Sequence, residues 1–332
     1  MSKKPIQPGP SAFSARSSLL STPEFPESPT EATPGRWARY ELQMALLDQV
    51  FHSRLRSAAP KPGSTTRVFR EITAHYDWHH EHGVIPNGVS VTVTAPAWLD
   101  VTAESVLLGI LYLSRRQGVF CDAPSLTEPD TVRPRGLAQS SPVGVLDTTR
   151  YALLQAAGMP VDRGSYQRLT RLLDDLGRMT LLYRNLVTGE SGNDLLIRWA
   201  LEDSTDRLRI QINWRLAGAV FGTYWRAMID LDERQALAGD AAKLAHRWLS
   251  AHLWPGKSEW ILYTTLIRHI WPETDPTTAP ASDSAHRVRL HRVKTQVVPA
   301  LQTLPGWEIT PAPEGMLVHR LSRMESSSAK NR

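Results

Sequence analysis

One segment of the sequence combines an apolar stripe with a face of basic and amide side chains. Leucines recur at helical spacing from Leu169 to Leu176, which predicts a helix over Tyr166–Met179 that Ser165 opens. Guanidinium and carboxamide groups pair with base edges in the DNA major groove, and guanidinium groups also bind phosphates. This helix and the strand after it supply the first candidate DNA-binding residues, which are Ser165, Tyr166, Gln167, Arg168, Arg171, Arg178 and Arg184.

A second group of cationic side chains is concentrated near the C-terminus. Between Ser284 and Leu304 there are four Arg or Lys residues, two His and no acidic residue. Apolar residues from Leu290 onward again recur at helical spacing, so a helix opened by Asp283 or Ser284 is predicted. The candidate DNA-binding residues of this region are Ser284, Arg287, Arg289, His291, Arg292 and Lys294. Two further candidates, Lys257 and Ser258, follow a predicted helix stop.

Basic helix faces and histidine clusters also have less specific explanations. A solvated helix surface accounts for any single arginine taken alone. His75, His79, His80 and His82 could supply metal nitrogens, but neither a cysteine nor an HExxH spacing accompanies them. Solvated turn histidines are therefore the favoured interpretation, and no metal, cofactor or catalytic residue is predicted. A metal-dependent nuclease that uses these histidines stays open as an alternative.

The composition indicates a basic globular protein outside the membrane. The 332 residues suffice for two domains, and a hydrophobic content of 41% can fill their cores. The formal net charge of +5 is typical of proteins with polyanionic partners, although it also fits acidic membranes or simple solubility. No apolar run approaches the roughly 18 residues of a membrane span, and no signal peptide is recognisable. A cytoplasmic location without a membrane partner is expected.

Composition and breaker residues divide the chain into five predicted segments. The N-terminal residues are rich in Ser, Pro, Thr and Glu, too polar to offset the entropy of ordering. A short helix is predicted over Trp37–Arg56, before Pro60 and Pro62 stop it. The segments are a disordered tail (1–35), a short helix and linker (36–66), a first domain (67–215), a second domain (216–323) and a disordered C-terminal tail (324–332).

The first domain is predicted to carry a helix-turn-helix followed by a β-hairpin. Alternation of Val with Ser or Thr predicts a strand over Gly88–Ala95, and an apolar series that Thr102 caps predicts a helix ending at Gln117. Residues 119–145 are predicted to be an inserted loop. The later elements are a helix over Arg150–Ala157 capped by Thr148 or Thr149, the helix Tyr166–Met179, a hairpin of Thr180–Leu186 with Leu195–Leu201, and a strand over Arg207–Asn213. This order is typical of a winged helix, whose second helix enters the major groove.

The second domain repeats this order of elements. Its predicted elements are helices over Asp232–His252 and Ile261–Ile270, the basic helix from Asp283 or Ser284, and a hairpin of Trp307–Thr310 with Met316–Leu321. Basic residues therefore occur twice on the helix that directly precedes a hairpin. The predicted fold class is α+β, with two tandem winged-helix domains.

Runs of residues in both domains resemble one family of plasmid proteins. In the second domain these are Ile229–Lys257 (IDLDE…ALA…AKLAHRWL…WPGK), Thr265–Pro272 (TL…HIWP) and Arg287–Trp307 (RVR…RV…VPAL…GW). They resemble the second domain of IncQ-type plasmid replication initiators, the iteron-binding C protein family. In the first domain, Val161–Met179 and Arg207–Asn213 resemble that family's first recognition helix and the strand after it. Initiators of the IncP broad-host-range type share the plan and are the nearest competing family.

The resemblance implies a function that depends on binding energy and includes no catalysis. Members of such a family bind double-stranded DNA at origin iterons, with monomers side by side on adjacent repeats. They promote opening of the origin and loading of a plasmid-encoded replicative helicase. A winged-helix transcriptional repressor would use the same modules, usually as a symmetric dimer on a palindrome, and stays open as a second alternative.

Overall fold

The computed structural model describes residues 36–41, 45, 50–51, 69–80, 83–96, 99–121, 143–189, 191–202, 205–222, 226–271 and 283–322. Within these ranges the protein has the predicted α+β composition, with helices packed on antiparallel sheets. The tails predicted at 1–35 and 324–332 lie outside the described residues. None of the described helices is long and apolar enough to cross a membrane.

The first half of the chain contains two four-stranded antiparallel sheets and four helices within its described residues. Its elements are β1 (Trp37–Glu41), β2 (Phe69–His80), β3 (Gly83–Pro96), α1 (Val101–Gln117), β4 (Val119–Cys121), β5 (Val143–Thr149), α2 (Arg150–Ala156), α3 (Arg163–Leu176), β6 (Thr180–Asn185), β7 (Ser191–Leu195), β8 (Ile197–Glu202), β9 (Arg207–Ile212) and α4 (Trp214–Phe221). The sheet orders are β2-β3-β6-β7 and β4-β5-β9-β8. The predicted strand at Gly88–Ala95 is confirmed as part of β3.

Helix α1 is the central element of this half because most of its surface is apolar. Every residue from Val106 to Leu111 is buried, and α2, α3, α4, β1 and β5 pack around the helix. Asp100 begins it, since its Oδ1 accepts hydrogen bonds from the backbone N–H groups of Thr102 at 2.8 Å and Ala103 at 3.0 Å. The predicted helix is confirmed, but its cap is Asp100 and not Thr102.

The second half has a smaller sheet and a longer run of helices. Its elements are β10 (Arg226–Asp230), α5 (Leu231–Ala236), α6 (Asp240–His252), β11 (Lys257–Leu262), α7 (Tyr263–Ile270), α8 (Asp283–Arg292), a π-helical segment (Val293–Val297), α9 (Val298–Gln302), β12 (Trp307–Pro311) and β13 (Gly315–Arg320). The strands β11, β13 and β12 form an antiparallel sheet in that order, which confirms the predicted C-terminal hairpin.

Strand β1 corrects the predicted N-terminal helix. The helix predicted over Trp37–Arg56 starts as a strand, which pairs antiparallel with β10 along five residues. Ala38 and Tyr40 are fully buried, so this segment alternates as a strand with one buried face. Ala45 is helical, and most of the remaining predicted helix lies outside the described residues. A period-two pattern over only five residues is too short to identify a strand from the sequence. The strand that pairs with it also lies far away in sequence.

The hairpin after α3 uses a different pair of strands from the predicted one. β6 pairs with β7, most of which lies between the two predicted strands, whereas β8 pairs with β9 in the other sheet. Asn185 explains the difference. Its Oδ1 accepts hydrogen bonds from the backbone N–H groups of Val187 and Thr188, both at 3.0 Å, and so closes the turn at once. The chain therefore returns at Ser191, earlier than predicted.

Two other predicted elements have different limits. The helix predicted over Asp232–His252 is divided into α5 and α6, because Gly239 disfavours helix and Asp240 favours a new first turn. The predicted loop at 119–145 includes β4 and the first residues of β5, and 122–142 lie outside the described residues.

The two halves meet where the end of α2 lies beside α5. Arg36 Nη2 donates to the carbonyl oxygens of Gln155 and Ala156, both at 3.0 Å, and its Nη1 donates to Gln235 Oε1 at 3.0 Å. Gln235 Nε2 donates to the carbonyl of Ala156 at 3.2 Å. Gly158 follows α2 with a φ of 67°, and a Cβ there would lie 2.7 Å from the Gln235 side chain. Both the conformation and the space at this turn require glycine.

We expect Gly158→Ala to lower the free energy of unfolding by about 2–3 kcal/mol, from left-handed strain plus displacement of the Gln235 side chain. Gly189→Ala is the matched control, because Gly189 has a φ of 74° and nothing lies within 4 Å of its Cβ position. Urea unfolding of both variants measures the difference. Equal losses would show that Gln235 does not constrain this turn.

Candidate nucleic-acid interface

Helices α2 and α3 lie where the sequence predicts the two helices of a helix-turn-helix, and each begins at a side-chain cap. Thr149 Oγ1 accepts a hydrogen bond from the backbone N–H of Ala152 at 3.1 Å, which confirms one of the two predicted caps of α2. Asp162 Oδ1 accepts a hydrogen bond from the N–H of Ser165 at 2.8 Å, so α3 begins at Arg163. The observed start, earlier than predicted, brings Arg163 into the first turn of the helix.

The leucine side of α3 packs inward as predicted. Leu169, Leu172, Leu173 and Leu176 are all buried in the core. Ser165 lies on this packed side as well and is only 9% exposed. Its predicted contact with DNA stays a prediction, and its observed contribution is the backbone N–H that Asp162 caps.

The solvent side of α3 presents a stripe of three exposed residues. Arg163, Gln167 and Arg171 are four residues apart, which places them on one face of the helix. Gln167 and Arg171 belong to the predicted set, but Arg163 does not, because the predicted helix starts after it. The sequence signal for Arg163 was Asp162, since aspartate is among the strongest N-cap residues. We call these three residues the α3 stripe.

Arg168, by contrast, is engaged within the protein. Its Nη2 donates to Asp100 Oδ2 at 3.0 Å and to Thr102 Oγ1 at 2.7 Å. Both partners lie at the beginning of α1, so Arg168 anchors α3 to the central helix. Its side chain is 38% exposed. Contact between Arg168 and DNA stays a prediction, alongside this observed structural contact.

Three other predicted residues of this half occupy different environments. The ring of Tyr166 lies under the guanidinium group of Arg150, with 5.3 Å from the Cζ atom to the ring centroid. Arg178 Nη1 lies 3.3 Å from Asp175 Oδ1, one helical turn earlier. Arg184 is exposed on β6. Their contacts with DNA are untested predictions.

The hairpin β6–β7 has an apolar, exposed tip. Leu186 is 57% exposed and Val187 is 46% exposed, directly after the strand that carries Arg184. Apolar side chains that reach DNA can wedge between base steps in the minor groove, next to arginines that bind its floor. The tip therefore combines two side-chain types suited to a groove beside the one that α3 would occupy.

A buried carboxyl group lies in the second strand of this hairpin. Asp194 on β7 is only 5% exposed. Burial raises the pKa of Asp194 to about 7, although the backbone N–H of Leu195 and the charge of Arg198 both favour its ionised form. The hairpin thus contains a group that changes charge near neutral pH.

The basic helix of the second half is interrupted where the predicted helix is continuous. The N–H of Val298 donates to the carbonyl of Val293, five residues earlier, in the π-helical segment. Pro299 accounts for this widened turn, because proline has no N–H for the carbonyl of Thr295 and its ring clashes with the preceding turn. Val293 and Val297 within the segment and Val298 directly after it are all buried, so the apolar stripe faces the core through the interruption.

The polar side of this helix carries most of the predicted second set. Its exposed members are Ser284, Arg287, His291, Arg292 and Lys294. Arg289 is half-buried and donates to the carbonyl of Trp271 at 3.4 Å. Lys294 Nζ donates to the carbonyl of Pro313 at 2.7 Å and lies 5.2 Å from the ring centroid of Tyr263. Lys294 therefore ties the helix to the β12–β13 turn.

Arg320 fixes the β12–β13 hairpin from its buried side. Its guanidinium group donates to the carbonyl oxygens of Ser250 at 2.9 Å, Leu253 at 2.9 Å and Met228 at 2.8 Å. Burial lowers the pKa of Arg320 to about 10, partly offset by the charge of Glu233. The hairpin is thus held against the end of α6 and against β10.

The remaining candidate residues within the described ranges lie on strands. Lys257 and Ser258 are exposed at the start of β11, after Gly256 with a φ of 78°. His75, His79 and His80 lie on β2, and His82 is outside the described residues. Among the described residues, no group of three His, Cys, Asp or Glu side chains could hold a metal ion.

Comparison with known protein families gives a match over more than half of the chain. The sequence model of the family described as Replication protein C (RepC) matches residues 140–317. No curated protein matches the chain.

Three solved structures are similar at low sequence identity. A selenomethionine derivative of domains 2 and 3 of RctB is 10% identical, with a TM-score of 0.47, over 85% of this chain and 98% of that one. The Pi initiator protein in complex with iteron DNA is 12% identical, with a TM-score of 0.45, over 67% and 91%. A second structure of RctB domains 2-3 is 8% identical, with a TM-score of 0.49, over 86% and 99%.

We expect Arg171→Ala to weaken binding to specific DNA by about 1–3 kcal/mol without changing the melting temperature, because Arg171 is exposed on the α3 stripe. Arg168→Ala is the matched comparison on the same helix. It should also lower the melting temperature, because it removes the hydrogen bonds to Asp100 and Thr102. Fluorescence anisotropy and thermal melting measure the two effects. Unchanged affinity in Arg171→Ala would remove α3 from the DNA interface.

We expect Asp194→Asn to become progressively more stable than wild type as the pH rises from about 4 to about 8. The wild-type carboxyl keeps its proton to about pH 7 in the folded protein but loses it near pH 3.8 in the unfolded chain. Its contribution to the free energy of unfolding is therefore complete at low pH and is lost as the pH rises between these two values. The difference should reach up to about 4 kcal/mol. Urea unfolding across pH measures it, with the exposed Asp174→Asn as a control. A difference independent of pH would contradict the raised pKa.

Proposed function

Because the chain belongs to the replication protein C (RepC) family, we propose that it initiates replication by binding double-stranded DNA at an origin. The observation that carries this proposal is the α3 stripe, which lies on the second helix of a helix-turn-helix directly before a hairpin. In DNA-binding proteins with this order, that helix lies in the major groove. A guanidinium group can donate two hydrogen bonds to guanine, and a carboxamide can donate one hydrogen bond to adenine and accept another from it.

We propose that the second half is a further DNA-binding module and that both are winged helices. The order α6, β11, α7, α8–α9, β12, β13 and the central position of β13 in its sheet support this for the second half. In the first half, α2, α3, β6 and β7 follow the same order, although β5 pairs with β9 and not with the hairpin. The hairpins would be the wings, with Lys294 and Arg320 holding the second one in place.

The finer proposal is an IncQ-type initiator that binds iterons in the cytoplasm. The two modules of one chain differ, so each bound monomer has a defined direction along the DNA. Monomers that all point the same way would lie side by side on direct repeats. We propose no catalytic step. The energy of many phosphate and base contacts would bend the origin, help to open it and allow a plasmid-encoded helicase to load.

A footprint on the origin of the native replicon tests this proposal. We expect protection of direct repeats, each long enough for two major-groove contacts about one helical turn apart. Inverted repeats would instead indicate a symmetric repressor. Absence of any protected site at physiological salt, with the protein folded, would overturn the proposal.

The second module gives a prediction about salt dependence. Removal of a phosphate contact by Arg287→Ala or Arg292→Ala should weaken binding to all sequences alike and lower the slope of log affinity against log salt by about 0.9. Lys294→Ala should change the slope less, because its ammonium group already donates to Pro313. Titrations on origin and scrambled DNA at several salt concentrations separate these effects. If all three variants match wild type in affinity and slope, this helix does not face DNA.

A further inference from the structure

Three charged side chains are buried together where the two halves of the chain meet. Glu104, in the first turn of α1, is fully buried, and Arg234 on α5 and Arg247 on α6 are 3% and 1% exposed. Arg234 Nη2 donates to Glu104 Oε2, and Arg247 Nε lies 3.2 Å from Glu104 Oε1. We call these residues the junction triad. One residue comes from the first half and two come from the second.

The triad is continuous with the contacts that orient both DNA-binding helices. Asp100, which holds Arg168 of α3, lies one turn before Glu104 on α1, and the N–H of Glu104 donates to the Asp100 carbonyl at 3.2 Å. On the other side, Arg234 Nη1 donates to the carbonyl of Lys243 at 2.8 Å, which joins α5 to α6. α6 packs in turn against the π-helical segment and α9. A single turn of α1 therefore connects α3 to the basic helix.

A buried ion triad is a poor source of stability, and in some proteins buried polar groups instead fix one arrangement of the parts. Removing each ion from water carries a penalty of several kcal/mol, and well-packed apolar residues often stabilise a site equally well. Apolar contacts tolerate small rotations between the halves, whereas the hydrogen bond from Arg234 Nη2 to Glu104 Oε2 is directional. Arg247 adds an ion pair to the other carboxylate oxygen. The contacts of the triad are therefore suited to holding the two halves in one relative orientation.

We propose that Glu104 is a positioning residue for DNA recognition. The junction triad holds the two DNA-binding modules in one relative orientation, so that the protein measures the spacing between the two half-sites of its target. This inference rests on the proposed function. A single inserted base pair moves one half-site by about 3.4 Å along the helix axis and rotates it by about 35°. A rigid junction cannot follow that displacement, and a loosened one can.

The test compares DNA fragments that carry zero, one or two extra base pairs between the two half-sites of the footprint. Wild type should lose about tenfold or more in affinity per insertion. Glu104→Gln, which keeps the shape but removes the charge, should lose about threefold or less while binding each isolated half-site as wild type does. Asp147→Asn is the matched control, because it removes an exposed ion pair with Arg209 inside the first half. Asp147→Asn should lose as much affinity per inserted base pair as wild type does.

A measurement without DNA separates this inference from the proposed function. Spin labels at Asp174→Cys and Thr310→Cys, both exposed, with Cys121→Ser, report the distance between the halves in the full chain. Wild type should give one narrow distance distribution, and Glu104→Gln should give a broad one. If wild type binds no origin DNA, the proposed function fails while this measurement still decides the role of Glu104.

A second variant applies if Glu104→Gln does not fold. Glu104→Met, Arg234→Met and Arg247→Leu together replace the triad by apolar residues of similar size. This variant should melt as a folded protein, with a broad distance distribution and a reduced spacing penalty. A distribution as narrow as that of wild type, or an unchanged spacing penalty, in the variant that folds would overturn the inference.

Discussion

A carboxylate wholly removed from water determines how the two halves of this protein can be joined. Glu104 lies in the first turn of the central helix α1, and its charge is compensated by Arg234 and Arg247 of the second half. An unpaired ion at this depth would be penalised by several kcal/mol. The first-half core is therefore electrostatically complete only when the second half is docked on it. β1 and Arg36 reinforce the same junction through backbone and side-chain hydrogen bonds.

The different roles of the arginines follow from their depth in the fold. Arg168, one residue after Gln167, donates to Asp100 and Thr102 and holds α3 against α1. Arg171, one turn further along, remains on the solvent side. A helix that packs on the core and also contacts a ligand needs both kinds of arginine. The arginine bound within the protein holds the helix rigidly, and this rigidity is what makes contacts from the exposed arginine specific. The same applies in the second half, where Lys294 supports the hairpin turn.

Pro299 shows how a residue that disfavours helix can be accommodated within one. Its missing N–H and its ring widen the preceding turn into the π-helical segment. The N–H of Val298 consequently donates to the carbonyl of Val293, five residues earlier, where a regular α-helix would use the residue four earlier. The buried valines within the widened turn and directly after it all face the core. The same segment carries Lys294, which contacts the β12–β13 turn.

Local patterns in the sequence determined the helices and their apolar stripes. The leucines of α3, the Thr149 cap of α2 and the C-terminal hairpin follow from spacing and capping chemistry that act within a few residues. The choice of partners was decided only by the tertiary structure. The contact between Arg168 and Asp100, the pairing of β6 with β7, and the arginines that neutralise Glu104 all depend on contacts between residues far apart in sequence. Periodicity carries no information about such contacts, because it describes one element at a time.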